Sequence, residues 1–193
     1  MKPKGKLFVV SAPSGAGKTT LVTEALKTLQ KDFSIERVVT CTSREPRGTE
    51  QNKIDYLFFS KKEFEEKINN NFFLEHTEYS GNCYGSPSSI FNDMEQGKSF
   101  ILIIDLVGAK RIKQIATQAT FIWIAPPSLK ILEKRLRNRK TDNDIKITKR
   151  LEVALKEMSE EKYLSLFDYH ITNDNLTDSI NELTSIIKNG LIS

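Results

Sequence analysis

Residues 11–20 have the composition and order of a loop that binds phosphate. The stretch reads Ser11-Ala-Pro-Ser-Gly-Ala-Gly-Lys-Thr-Thr20 and lies between a short apolar run and an apolar helical pattern. From Ala12 to Thr19 it matches Gly-x-x-x-x-Gly-Lys-Ser/Thr, with Ala12 in place of the first glycine. The backbone amides of such a turn, with a helix N-terminus behind them, bind an anion. Lys18 then reaches the β- and γ-phosphates and the Thr19 hydroxyl binds Mg2+, so the stretch predicts a nucleoside triphosphate site.

A second set of anion-binding side chains follows on polar, glycine-broken loops and an apparent strand. The set comprises Arg44, Arg47, Tyr56 and Tyr84. Two arginines three residues apart on a loop are usually a solvated surface pair. Arginine forks match phosphate oxygens bidentately, however, and tyrosine hydroxyls add neutral donors. Their setting therefore favours a second phosphate pocket, separate from the one at Lys18.

The stretch from Ser128 to Arg150 is the most basic in the chain, with nine Lys or Arg residues against three acids. A solvated helix face and a nucleic-acid stripe would both explain this charge. Base stacking is disfavoured, because residues 125–162 contain no aromatic side chain. A lid that brings Arg135, Arg139 and Arg150 onto a triphosphate fits the phosphate loop better.

Two acidic residues are candidates for substrate contacts. Asp105 ends the apolar run Ser99–Ile104, and ligands of open parallel sheets bind at the carboxyl ends of the strands. Glu75 follows three apolar residues, and the pattern alone leaves open whether it is a site carboxylate or a solvated strand end. His76 and His170 have no partner at ligand spacing, so both are interpreted as structural and no zinc is expected.

Alternating strand and helix patterns predict an α/β fold with a parallel core sheet. The predicted strands are Lys6–Val10, Ile35–Thr40, Asp55–Phe59, Ser99–Asp105, Thr120–Ala125 and Phe167–Thr172. The predicted helices follow the phosphate loop, cover Lys61–Asn69, follow Gly108, begin near Ser128, cover Leu151–Lys162, and end the chain before Gly190. Ser80–Pro87 is predicted to be a loop. On the helix that begins near Ser128, Ile131, Leu132 and Leu136 are expected to face inward. On the helix Leu151–Lys162, Leu151, Leu155 and Met158 are expected to align on one face.

The composition of the 193 residues is that of one ordinary soluble domain. Hydrophobic residues make up 38% and charged residues 28%, and the net charge of +4 suits an anionic substrate without requiring nucleic acid. Cys41 and Cys83 lack CxxC spacing, which indicates a reducing compartment. The N-terminal apolar run is too short for a signal peptide, and no stretch reaches membrane-spanning length. We therefore expect a cytoplasmic protein.

The combined motifs resemble those of guanylate kinases, from the first strand to Asn173-Asp174. They are Ser11–Thr19, Thr42-Ser-Arg-Glu-Pro-Arg-Gly, Asp55-Tyr56, Ser80-Gly-Asn-Cys-Tyr-Gly-Ser, Ile104-Asp105-x-x-Gly108, Arg135-Leu-x-x-Arg139 and Lys149-Arg-Leu. The resemblance implies a P-loop core (1–37, 91–127 and 159–193), an inserted GMP-binding α/β region (38–90) and a helical lid (128–158). It also implies Mg2+-dependent transfer of the ATP γ-phosphoryl group to GMP, and by extension to dGMP, in purine nucleotide metabolism.

The same resemblance assigns roles to individual residues. ATP is expected to contact Ala12, Pro13, Ser14, Gly15, Ala16, Gly17, Lys18, Thr19, Thr20, Arg135, Arg139 and Asn173. GMP is expected to contact Thr40, Arg44, Arg47, Tyr56, Glu75, Tyr84, Ser86 and Asp105. The expected catalytic residues are Lys18, Arg44, Arg135, Arg139 and Arg150, and the metal-binding candidates are Thr19 and Asp105. A carboxylate at Glu75 suits guanine, whose N1–H and amino group donate side by side.

Three positions depart from the family pattern. Ile103 stands where an acid usually precedes Asp105, Val107 stands where an amide is common, and Lys140 replaces a lid glycine. Two other functions remain open: a non-catalytic guanylate-kinase-like module that binds phosphorylated peptides, and a kinase of another nucleoside monophosphate. The expected partners are small nucleotides rather than nucleic acid or membrane, for a monomer or homodimer.

Overall fold

A computed structural model describes residues 4–79, 81–138 and 143–193. Its core is a five-stranded sheet in which every neighbouring pair of strands is parallel. In spatial order the strands are β2 (Ile35–Arg37), β7 (Ser99–Ile104), β1 (Leu7–Ser11), β8 (Thr120–Ala125) and β9 (Tyr169–Thr172). Since all the strands run the same way, their carboxyl ends meet at one edge, where Ser11 and Asp105 lie.

Helices cover both faces of this sheet, which explains the continuous apolar runs of its strands. They are α1 (Lys18–Leu29), α3 (Ile90–Glu95), α4 (Leu106–Ile115) and α7 (Leu176–Ile192). Alternate residues of β1 point to opposite faces, so Phe8 joins the core cluster beneath α1 and α7. Val9 joins the cluster on the other face with Leu106 and Trp123. Trp123 is 2% exposed.

A second, mixed sheet carries the segment between β2 and β7. In spatial order it contains β4 (Leu57–Phe58), β3 (Cys41–Thr42), β6 (Asn82–Pro87) and β5 (Phe73–Tyr79). β3 pairs in parallel with β4 and antiparallel with β6, which pairs antiparallel with β5. The helix α2 (Lys61–Asn69) buries Phe64 against Phe73 of β5, with ring centroids 4.5 Å apart. The predicted bounds of α2 are confirmed.

Two further helices, α5 (Leu129–Asn138) and α6 (Asp144–Glu161), enclose a small apolar cluster of their own. Leu132 and Leu136 lie inward as expected, but Ile131 is 36% exposed, so its predicted inward position is wrong. Leu155, expected to align with Leu151 and Met158, is 52% exposed. Buried Ala154 takes the place expected for Leu155. Arg139 and Lys140 lie outside the described residues. Within those residues, no helix has the length and apolar content needed to cross a membrane.

Three further predictions are corrected. The strand predicted at Ile35–Thr40 ends at Arg37, because the chain leaves the first sheet and enters the second at Cys41. The loop predicted at Ser80–Pro87 contains strand β6, where Gly85 leaves room for the Phe73 ring; an added Cβ would lie 2.8 Å from it. Gly190 lies inside α7 rather than after it, for a packing reason discussed below.

Candidate active site

The phosphate loop joins the carboxyl end of β1 to the first turn of α1. Gly15 and Gly17 have φ values of 96° and 102°, in the left-handed region that favours glycine. Gly17 precedes α1 and has no side chain, so no side-chain cap occupies the first amides of the helix. Those amides and the helix dipole suit a phosphate. Ala12, the departure from the motif, is 2% exposed and contributes its carbonyl, which accepts from the Lys18 Nζ at 2.5 Å.

Residues from α5, α6 and the end of β9 contact this loop. Arg150 Nη2 donates to the Ser14 Oγ at 2.7 Å. Arg135 Nη2 donates to the carbonyl of Asn173 at 2.9 Å, and its Nη1 lies 3.4 Å from the carbonyl of Ala16. The buried Asn173 amide donates to the same Ala16 carbonyl at 2.7 Å, so Asn173 supports the loop directly.

A second basic pocket forms where β3 leads into the following turn. The guanidinium of Arg44 is 8% exposed and donates to both carboxylate oxygens of Glu50, at 2.9 and 3.0 Å. Its Cζ lies 5.3 Å from the ring centroid of Tyr56, which packs edge-on to Tyr84 at 6.4 Å. Three of the four predicted phosphate-binding side chains therefore meet. Arg47 is exposed, and its backbone N–H donates to Glu50 at 2.8 Å.

The acidic end of the site is built from the second sheet and the first turn of α4. Glu75 lies within β5, 6% exposed, and its Oε1 accepts from the Ser86 hydroxyl at 2.6 Å. The alternative of a solvated strand end is therefore excluded. Burial raises the pKa of Glu75 to about 7, against the hydrogen bond from Ser86 and with a contribution from the charge of Asp105.

Asp105 caps α4 and faces the same space as Glu75. Its Oδ1 accepts from the Gly108 amide at 2.7 Å, and its Oδ2 lies 3.3 Å from the Thr77 hydroxyl. An added Cβ at Gly108 would lie 3.2 Å from the Glu75 Oε2 and 3.3 Å from the Asp105 Oδ1, so both carboxylates converge there. Thr40 is also buried, and its carbonyl accepts from the Leu57 amide at 2.8 Å.

Three residues that contact or face this site were missed from the sequence. Glu50 orients Arg44, Thr77 meets Asp105, and Glu157 of α6 comes within electrostatic range of Lys18. Glu50 lies six residues from Arg44 on an irregular turn, where no periodicity applies. Helical spacing could have identified Glu157, because it lies seven residues after Arg150, two helical turns further along the same face.

Comparisons with known proteins agree on one family. The family model described as "Guanylate kinase" matches residues 4–190. A guanylate kinase of Rickettsia bellii is 40% identical over 187 residues, covering 96% of this chain and 95% of the relative. A guanylate kinase of Clostridioides difficile is 39% identical over 185 residues, covering 95% and 87%. The crystal structure of guanylate kinase from Anaplasma phagocytophilum superposes with a TM-score of 0.81 at 27% identity, covering 100% of this chain and 89% of that one.

Proposed function

The chain belongs to the guanylate kinase family, and from that premise we propose that it transfers the γ-phosphoryl group of ATP to the phosphate of GMP or dGMP, with Mg2+ as cofactor. The observation that carries the proposal is the buried carboxylate of Glu75, held by Ser86 at 2.6 Å. The sheet that holds Glu75 also supplies Tyr84 on β6, beside the pocket of Arg44. Guanine requires such an acceptor and a monophosphate requires such a cation.

On this proposal, each group of residues positions or neutralises part of the two substrates. The amides of the phosphate loop and Lys18 hold the β- and γ-phosphates, and Arg135, Arg139 and Arg150 neutralise charge as the phosphoryl group moves. Arg44, with Arg47, Tyr56 and Tyr84, aligns the GMP phosphate, whose oxygen is already anionic and needs no general base. Alignment of the two phosphates supplies much of the rate.

The selectivity for guanine is proposed to reside in Glu75. Its two carboxylate oxygens accept from N1–H and the amino group of guanine, whereas adenine presents an acceptor at N1. Adenine would leave the buried carboxylate unpaired. Sites built on such hydrogen bonds reject the wrong analogue by about 10⁴-fold.

The oxygen donors beside Lys18 fit Mg2+. The Thr19 hydroxyl is exposed on the first turn of α1, and the carboxylate of Asp105 follows the neighbouring strand. In the described ranges no three His, Cys, Asp or Glu side chains group to hold a metal, so water and phosphate oxygens must complete the coordination. Bound Mg2+ would neutralise charge that develops on the phosphates.

We also propose that the GMP-binding region (38–90) and the lid (128–158) close over the core (1–37, 91–127 and 159–193). Closure would bring two anionic substrates together without water. Small-angle scattering should show compaction when both substrates are added, and an unchanged radius of gyration would contradict closure. A role in cytoplasmic purine nucleotide metabolism follows from the proposed reaction.

The test is coupled ADP release with ATP, Mg2+ and a panel of GMP, dGMP, AMP, CMP and UMP, with Lys18→Ala as the control. We expect turnover with the guanine nucleotides alone, reduced at least about 100-fold in the variant. Equal turnover with AMP would indicate a kinase of another monophosphate. No turnover with any acceptor, in a folded protein, would favour a non-catalytic binding module.

A further inference from the structure

One face of α6 is turned toward the phosphate loop. Arg150, Ala154 and Glu157 are spaced by four and three residues and therefore share a face. Arg150 donates to Ser14 on the loop at 2.7 Å, and Ala154 is fully buried. Glu157 lies seven residues beyond Arg150, roughly 10 Å further along the helix axis.

Glu157 is half-buried, and one of its two carboxylate oxygens is fully enclosed. Among the described residues, its Oε2 has no hydrogen-bond partner. Leaving a buried carboxylate oxygen unpaired costs about 1–3 kcal/mol or more. The neighbouring Glu160 on the same helix shows the ordinary arrangement, since it pairs with Lys110 at the surface.

Two acidic side chains, Asp105 and Glu160, oppose the single positive charge of Lys18 around Glu157, so an additional cation there would be favourable. Burial raises the pKa of Glu157 to about 7; Lys18 of α1 lowers this pKa, whereas Asp105 after β7 and Glu160 on α6 raise it. Two residues before Asp105 in the chain stands Ile103, which packs on the core and offers no oxygen. The end of β7 thus provides one carboxylate, Asp105, within electrostatic range of Glu157, and α6 provides the second.

We propose that Glu157 is a positioning residue for the Mg2+ of bound ATP: Asp105 and Thr19 would hold the ion, and the Glu157 carboxylate would accept hydrogen bonds from its water. In this chain α6 would thereby supply the acid that Ile103 does not. Mg2+ keeps several waters in such sites, and outer carboxylates orient them. The inference rests on the proposed function, because it requires that Mg2+·ATP binds at Lys18.

The test measures how strongly Mg2+ and ATP assist each other's binding, using calorimetry without GMP. The dissociation constant of ATP is measured in excess Mg2+ and in EDTA for the wild type, Glu157→Gln and Glu152→Gln. Glu152→Gln is the matched control, since it removes a charge from an exposed position of the same helix. We expect the Mg2+-dependent gain in ATP affinity to be at least about 10-fold smaller in Glu157→Gln. Replacing a residue that orients a metal's ligands typically weakens metal binding by this factor. Glu152→Gln should keep the whole gain.

The outcomes separate this role from others and from the proposed function. If Glu157→Gln keeps the wild-type gain, or weakens ATP equally with and without Mg2+, the role is refuted. A lower unfolding temperature of Glu157→Gln would also overturn it, because the carboxylate would then stabilise the fold itself through Lys18. If the ATP affinity of the wild type is the same in excess Mg2+ and in EDTA, the proposed function is refuted instead.

Discussion

The guanidinium of Arg44 is held against the carboxylate of Glu50 by two parallel hydrogen bonds, at 2.9 and 3.0 Å. Burial alone would raise the pKa of Glu50, but hydrogen bonds from Arg44 and from the backbone of Arg47 lower it below its usual range. The Nε of Arg44 is buried without a hydrogen-bond partner in the described part of the chain. Glu50 thus fixes the plane of the guanidinium, while Nε has no acceptor among the described residues.

Replacing Glu50 with glutamine should impair both folding and GMP binding. Arg44 would keep its buried charge but lose the negative charge of its partner and one of the two acceptor oxygens. We therefore expect a loss of about 1–3 kcal/mol in the free energy of unfolding. The guanidinium would also be less ordered, so the KM for GMP should rise about 10-fold while the KM for ATP stays near the wild-type value. Denaturant unfolding and initial-rate kinetics measure the two effects.

Glu24→Gln is the matched control for this change. Glu24 forms a surface ion pair with Lys27, and exposed pairs contribute at most about 1 kcal/mol. The control should leave both KM values unchanged. An unchanged GMP KM in Glu50→Gln would show that Glu50 does not orient Arg44 for substrate.

Glu75 should make the stability of the fold depend on pH. Its pKa is raised to about 7 by burial, whereas an unfolded chain has a Glu pKa of about 4.3. Between these values the folded chain binds more protons than the unfolded one, so the contribution of Glu75 to stability falls as the pH rises to about 7. Relative to Glu75→Gln, the wild type should lose up to about 3 kcal/mol between pH 4.5 and 8. Denaturant unfolding across this range measures the difference.

The control on the same strand is Glu78→Gln, which removes an exposed carboxylate. Its pH profile should run parallel to that of the wild type. If Glu75→Gln also runs parallel, the carboxyl of Glu75 is not held in an unfavourable environment.

On the proposed function Glu75 must be ionised to accept from guanine, which gives a prediction of opposite sign for GMP binding. Between pH 6 and 8 the ionised fraction rises about 10-fold for a pKa near 7, so GMP should bind about 10-fold more tightly. The GMP phosphate titrates in the same range, with a pKa of about 6. Calorimetry on Glu75→Gln measures the pH dependence of GMP binding that comes from the phosphate alone. Any additional pH dependence in the wild type is then due to Glu75. No excess would contradict the role of this carboxylate.

The sequence predicted the elements whose signal is local. The phosphate loop, the bounds of α2 and the parallel core follow from motif order, helical period and continuous apolar runs, and the fold is confirmed by the superposition. Contacts between distant segments were not predictable in this way. Strand β6 lies in a glycine-broken polar stretch and is stabilised by pairing with β5, which no local pattern encodes. Glu157 was not predicted, because the spacing of apolar residues in α6 indicated a face through Leu155, which is exposed.

The sequence predicted that the last helix ends before Gly190, but α7 continues through this residue. Glycine commonly follows a helix, yet here it lies within α7 over the ring of Phe8, and an added Cβ would lie 2.7 Å from the Phe8 Cε1. Gly190→Ala should therefore destabilise the fold by about 1–3 kcal/mol, although alanine favours helix. Asn189→Ala, exposed on the same helix, should be neutral or slightly stabilising. Thermal unfolding compares them, and a stabilised Gly190→Ala would show that Phe8 yields without cost.

Gly15 of the phosphate loop packs against α5, which gives a prediction about catalysis. At its φ of 96° an added Cβ would lie 2.9 Å from side-chain carbons of both Leu132 and Leu136 on α5. Gly15→Ala should push α5 away from the loop and disturb the bond from Arg135 to the Asn173 carbonyl. We expect kcat to fall at least about 10-fold, because small displacements of positioning groups are costly.

Backbone strain alone must be separated from this displacement. Gly81 has a φ of 76° with no atom within 4 Å of an added Cβ, so Gly81→Ala carries strain of about 1–2 kcal/mol without a clash. Both variants should lose stability in denaturant unfolding, and only Gly15→Ala should lose kcat. Equal kcat values in the two variants would mean that the contact between the loop and α5 does not position the lid arginine, and that α5 is free to move during turnover.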